Sequence, residues 1–103
     1  MPKGYWVASN NIFDYEGLMK YRAANREVMT KYGAKFLVMH GQQIIEEGSS
    51  RTKQIVVEFP SYQDAVDCHN SVEYREAAKL RRAVSDGTLL IVEGYDGPQG
   101  MEL

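Results

Sequence analysis

Between residues 4 and 10 the side chains alternate, Tyr5, Val7 and Ser9 to one side and Trp6, Ala8 and Asn10 to the other, which predicts a strand. From Asp14 the period lengthens. Leu18, Tyr21, Val28, Met29 and Tyr32 fall on one stripe at steps of three, four and seven, the spacing of an amphipathic helix, and Gly33 stands at its C-cap. Lys35–Met39 predicts a second strand, with residues 44–47 as its continuation beyond a bulge or bend at His40-Gly41. Gly48-Ser49-Ser50 is then a turn into a third strand, Lys53–Phe59. Pro60 ends that strand because it has no N–H for the ladder. Ser61 is placed to cap a short helix over 62–69, and Ser71 to cap another running to Val84. Asp86-Gly87 turns the chain into a last strand over 89–93.

The order β-α-β-β-α-β predicts an α+β fold of ferredoxin-like type, a four-stranded antiparallel sheet with its helices on one face. Ile55-Val56-Val57 and Leu89-Leu90-Ile91-Val92 are apolar at both parities, so both faces of that sheet require cover. Helices supply it on one face only, and a second copy of the chain is the simplest cover for the other. The expected assembly is a homodimer joined through its sheet faces. With 103 residues the chain fits one domain, expected over 1–95, with Gly97, Pro98 and Gly100 marking a mobile tail over 96–103.

Composition narrows the function classes. Hydrophobic residues make up 44%, enough for a core, and no apolar run approaches the roughly 20 residues of a membrane span, so no membrane partner is expected. The net charge of -2 is mixed along the chain, and the basic cluster Lys79, Arg81 and Arg82 lies among Glu73, Glu76 and Asp86. That is a solvated helix face, not a phosphate-binding stripe, and no nucleic-acid partner is expected. A lone Cys68 excludes an internal disulfide, and the opening MPKGYWVAS lacks the apolar segment of a signal peptide; together they predict a cytoplasmic protein. One cysteine and two scattered histidines offer no metal motif. No glycine-rich phosphate loop is present, so no nucleotide cofactor is expected.

Several segments carry a family resemblance: Gly4-Tyr5-Trp6-Val7-Ala8, Tyr21-Arg22-Ala23-Ala24-Asn25, Tyr32-Gly33-Ala34-Lys35-Phe36, Val57-Glu58-Phe59-Pro60-Ser61-Tyr62 and Asn70-Ser71-Val72-Glu73-Tyr74. In this order, over nearly the whole chain, they resemble the bacterial domain-of-unknown-function 1330 family. The chain departs from that pattern at Met39-His40-Gly41, Cys68-His69 and Val72. The resemblance implies a dimeric α/β barrel and no established reaction. Relatives by fold include cofactor-free monooxygenases and isomerase-like enzymes, which is analogy of fold alone.

Two sets of polar residues are candidates for chemistry. Asn25 lies on the apolar stripe of the first helix, and Tyr74, Ala77, Ala78 and Arg81 share a stripe on the last. Asn25, Tyr74 and Arg81 either converge on an anionic or carbonyl-bearing ligand or satisfy one another, since buried polar groups need partners. An inward Arg81 requires an anion, either Glu58 or a ligand carboxylate; otherwise its stem is buried and its head reaches water. The second set is His40 and Glu58. A tight hairpin through 48–50 would set them opposite each other across the strands, as a catalytic dyad with a histidine general base or as a plain hydrogen bond. His69 next to Cys68 is sterically poor for a dyad, because adjacent helical side chains diverge, and Cys68 is expected to be a buried filler. The two function classes left are a non-catalytic small-molecule-binding dimer and a cofactor-free enzyme using His40 and Glu58.

Overall fold

A computed structural model describes residues 2–100. β1 (Gly4–Ile12) has the expected alternation: Gly4, Trp6, Ala8 and Asn10 are buried on one face. Gly4 opens β1 under the start of the second helix. A Cβ there would stand 2.6 Å from both the Ser61 carbonyl oxygen and the Tyr62 Cα. α1 (Tyr15–Lys31) begins where the Asp14 carboxylate accepts from the Glu16 and Gly17 N–H groups, and buries Leu18, Asn25, Val28 and Met29. It ends at Gly33, whose φ of 75° lets the chain reverse so that the Ala34 N–H reaches the Met29 carbonyl at 3.0 Å. β2 (Lys35–Met39), β3 (Lys53–Phe59), α2 (Tyr62–Asn70), α3 (Val72–Arg82) and β4 (Ser85–Glu93) complete the chain. The Ser61 and Ser71 hydroxyls cap α2 and α3 by accepting from the Asp64 and Tyr74 N–H groups.

The four strands form one antiparallel sheet in the order β2-β3-β1-β4, so both helical connections step over a strand and the two terminal strands of the chain are neighbours. This is the α+β ferredoxin-like arrangement that the pattern predicts. All three helices pack on the face carrying Trp6, Val57 and Phe59. There Val28 and Met29 of α1, Cys68 of α2 and Tyr74 and Ala78 of α3 close the core. On the opposite face Val38, Val56, Val7 and Leu90 are register partners in one row across all four strands. Val7, Val38 and Leu90 of that row are exposed, Leu90 by 57%. No helix among the described residues is long and apolar enough to cross a membrane.

Two expectations of local structure are corrected. Residues 44–47 form no strand: the chain from His40 to Thr52 is an irregular connection, and Ile44 is 82% exposed. β4 begins at Ser85, four residues earlier than its apolar run, because β1 extends to Ile12 and offers it a partner there. Of the expected tail over 96–103, residues 101–103 lie outside the described residues.

Candidate functional site

A cavity of about 60 Å³ lies between the sheet and the helices. Its floor is apolar, built by Trp6 and Ala8 of β1, Ile55 and Val57 of β3 and Leu89 of β4. α1 closes it with Leu18, Tyr21, Arg22, Asn25 and Met29, and α3 adds Arg81. Phe36, Met39 and His40 line it from the end of β2. A water needs only about 10–15 Å³ of such space, so the cavity has room for a small ligand or several waters.

The polar groups of the cavity are incompletely paired. Asn25, 5% exposed, donates through Nδ2 to the Tyr21 hydroxyl at 3.2 Å, and its Oδ1 has no partner among the described residues. Arg81 Nε and His40 Nε2 are likewise buried without a partner. Three orphaned polar atoms on residues lining one cavity are unusual, because nearly all buried polar atoms in folded proteins are hydrogen-bonded. The charge is one-sided as well. Arg22 and Arg81 both line the cavity, no acidic residue does, and neither arginine forms an ion pair among the described residues.

His40 is held in a defined state. It is the one non-glycine with positive φ among the described residues, at 55°, and its N–H donates to the Gln54 carbonyl at 2.9 Å. An L-residue in this left-handed conformation stores about 1–3 kcal/mol, sustained only where the surroundings dictate it. Arg22 Nη2 lies 3.3 Å from His40 Nδ1. A guanidinium can only donate, so Nδ1 is the acceptor and Nε2 carries the proton of the neutral ring. Burial, then the Arg22 and Lys53 cations, hold the imidazole below its usual pKa, so it is neutral at pH 7.

The His40–Glu58 pair is a correction. Glu58 lies opposite Lys35 on one side and Tyr5 on the other, whereas His40 is beyond the end of β2, beside Gln54. The two side chains are on opposite faces: His40 lines the helix-side cavity, while Glu58 accepts from the Tyr5 hydroxyl at 3.1 Å and pairs with Lys3 at 3.7 Å. The cause is the connection 40–52. A long irregular loop, with a register shift between Phe36 and Val38, replaces the tight hairpin that would have aligned them. The same placement removes Glu58 as an internal partner for Arg81.

Asn25 and Arg81 do meet at the cavity. Tyr74 stands behind the wall: it is fully buried, packs edge-on against Trp6 at 4.8 Å between ring centres, and shares a hydrogen bond with the Tyr21 hydroxyl at 3.1 Å. Tyr21 is the residue that faces inward, and burial, with the Tyr74 hydroxyl beside it, raises its pKa against the opposing pull of Arg81. Trp6 anchors the floor by donating from Nε1 to the Ala65 carbonyl at 2.9 Å. Arg22 was not among the expected site residues, yet Leu18, Arg22, Asn25 and Met29 run at steps of four, three and four, and that spacing is the signal for it. Cys68 is fully buried, its thiol pushed up to about 12 mainly by burial, which makes it a core residue and no nucleophile. Among the described residues no three His, Cys, Asp or Glu side chains cluster so as to hold a metal ion.

The family model of the domain of unknown function DUF1330 matches residues 3–95. The chain belongs to the DUF1330 family. No functionally curated protein matches it. Among solved structures, this DUF1330 chain is similar to RPA0582, a protein of unknown function from Rhodopseudomonas palustris, at 17% identity and a TM-score of 0.75, covering 93% of this chain and 85% of that one. It is similar to SnoaB, a cofactor-independent oxygenase from Streptomyces nogalater, at 9% identity and a TM-score of 0.65, covering 98% of both chains. A dimeric protein of unknown function with a ferredoxin-like fold from Bacteroides fragilis shares 14% identity and a TM-score of 0.55, over 88% of this chain and 95% of that one. At such identities the likeness is one of fold.

Proposed function

We propose that this DUF1330 chain is a non-catalytic small-molecule-binding domain that takes an anionic or carbonyl-bearing ligand in the cavity between its sheet and its helices. The observation that carries this reading is the set of unpaired buried atoms on Asn25, His40 and Arg81 around a cavity lined, among the described residues, by two guanidinium groups and no acid. Such groups are costly to leave unsatisfied, and a ligand oxygen placed among them recovers the lost hydrogen bonds. Arg22 and Arg81, with Lys53 acting on His40 beside them, give the cavity a positive field although the chain as a whole is negative. We place the domain in a homodimer joined through the exposed apolar row of the free sheet face, in keeping with the dimeric fold relative. The test is thermal unfolding of the full chain across a panel of small carboxylates and ketones. A rise in Tm that grows with ligand concentration, and that Arg81→Gln abolishes, is expected. No shift with any member of the panel overturns the reading.

One observation favours a second reading, a cofactor-free enzyme acting on a carbonyl compound. His40 is neutral, tautomer-fixed and strained, with a free Nε2–H at the cavity, which is how a hydrogen-bond donor to a developing enolate would be held. With Glu58 on the other face, His40 would act without it. Turnover of an enolisable ketone by the unaltered protein, lost in His40→Asn while binding persists, separates this reading from the first.

A further inference from the structure

The three orphaned atoms are not equivalent, and their polarity narrows the ligand. Arg81 Nε and His40 Nε2 each carry a hydrogen and can only donate here, the first because a guanidinium has no acceptor, the second because Arg22 occupies Nδ1. Asn25 Oδ1 can only accept, being a carbonyl oxygen, while the amide nitrogen of the same side chain is turned away from it and donates one of its two hydrogens to the Tyr21 hydroxyl. A simple carboxylate would satisfy the two donors and leave the Asn25 carbonyl buried against an anion, an unfavourable pairing of two acceptors. A ligand that also carries an O–H satisfies all three.

We propose that the ligand is a compact hydroxy-carboxylate, its carboxylate held by Arg81 and His40 and its hydroxyl donating to Asn25 Oδ1. This rests on the small-molecule reading above and adds the identity of the polar groups. The cavity of about 60 Å³ restricts the enclosed part to a few heavy atoms, and the apolar floor of Ala8, Ile55 and Leu89 suits a short alkyl group beside the hydroxyl-bearing carbon. Asn25 then acts as the residue that sets specificity. A site built to hydrogen-bond a hydroxyl discriminates against the analogue lacking it, because the buried partner is otherwise stranded.

Calorimetric titration of the full chain with lactate of both hands, propionate and lactamide tests this. Lactate of one hand is expected to bind about tenfold more tightly than propionate, which corresponds to about 1.4 kcal/mol. Lactamide is expected to bind more weakly than lactate. In Asn25→Leu, which has the same side-chain branching and no polar atoms, the preference for lactate over propionate should vanish while propionate binding survives. Because the comparison of ligands on the unaltered protein stands by itself, a failure of the variant to fold leaves the inference testable. Propionate binding as tightly as lactate overturns the hydroxyl assignment and leaves the anion pocket intact. Lactamide equal to lactate overturns the carboxylate assignment. Absence of binding by all of them up to tens of millimolar overturns this inference and, if the wider panel also fails, the small-molecule reading with it.

Discussion

Arg81 is half-buried, with its Nε enclosed, and the structure gives its permanent charge no carboxylate partner among the described residues. Its aromatic neighbour is the Tyr21 ring, with the guanidinium carbon 6.0 Å from the ring centre. Were it paired with a buried acid, truncation would strand that acid at a cost of about 3–5 kcal/mol. Since no acid among the described residues lines the cavity, Arg81→Ala is expected to change unfolding free energy by less than about 1 kcal/mol, or to raise it, while abolishing affinity for small anions. A loss above about 3 kcal/mol in urea unfolding would reveal an internal partner. His40 gives a second prediction. Burial, then Arg22 and Lys53, lower its pKa in the fold, and His69 is lowered in the same sense by burial and then by Arg82 and Arg81. Below about pH 6.5 the unfolded chain therefore binds protons that the folded chain refuses. The contribution of each imidazole is complete above that pH and is lost as pH falls through its depressed folded value. His40→Asn, which tolerates a positive φ, should flatten the acid side of the stability curve measured by denaturant unfolding between pH 5 and 8. An acid side equally steep in the variant would assign the whole dependence to other groups.

At the level of elements, every strand and helix was legible in the sequence: β1 and α1 by a clean period, and the others by apolar runs and marked ends, Ser61 and Ser71 at helix starts and Gly33 and Pro60 at stops. What spacing could not supply was register. Ile44 and Ile45 have the composition of a strand but no partner to pair with, and their apolar character says nothing of where β3 begins to bond with β2. The shift between Phe36 and Val38 turns Val38 to the outer face beside Val56 and Met39 to the helix side beside Ile55, and His40, beyond the strand's end at a φ of 55°, lines the cavity. Asn25 and Arg81 were readable because helical phase is insensitive to such slips. Arg22 shared that phase but is a charged residue, which a search for apolar stripes passes over. The contact between β1 and α2 is the tightest test of the assembled elements. In Gly4→Ala the new methyl would meet the Ser61 carbonyl at 2.6 Å and the Ala65 Cβ at 2.9 Å, both on the capped, well-packed start of α2. A loss of about 1–3 kcal/mol is expected in denaturant unfolding, with the melting temperature falling in step; an unchanged midpoint would mean that α2 sits farther from β1 than described here.

For the molecule as a whole, the sheet has one face in the core and one in water. On the outer face Val38, Val56, Val7 and Leu90 are aligned side by side across four strands, with Val92 beside Tyr5 in the adjoining row. Val7, Val38, Leu90 and Val92 are exposed by 38% to 57%. Scattered exposed aliphatics are ordinary on a monomer, but a contiguous row spanning a whole sheet is the pattern of an interface. At its edge Glu58 is engaged with the Tyr5 hydroxyl and with Lys3. The unaltered chain is therefore expected to sediment as a dimer at micromolar concentration. Because Val7 and Leu90 point away from the core, the double variant Val7→Lys, Leu90→Lys places like charges on two adjacent strands of the row without entering the packed interior. It should sediment at monomer mass while keeping its far-ultraviolet circular dichroism and its cavity. Retained anion binding in that monomer would show that each chain carries a complete site, and lost binding that the partner stabilises it. A monomer at micromolar concentration before any substitution would end the case for the dimer, and the exposed row would then have to be covered by something other than a second copy.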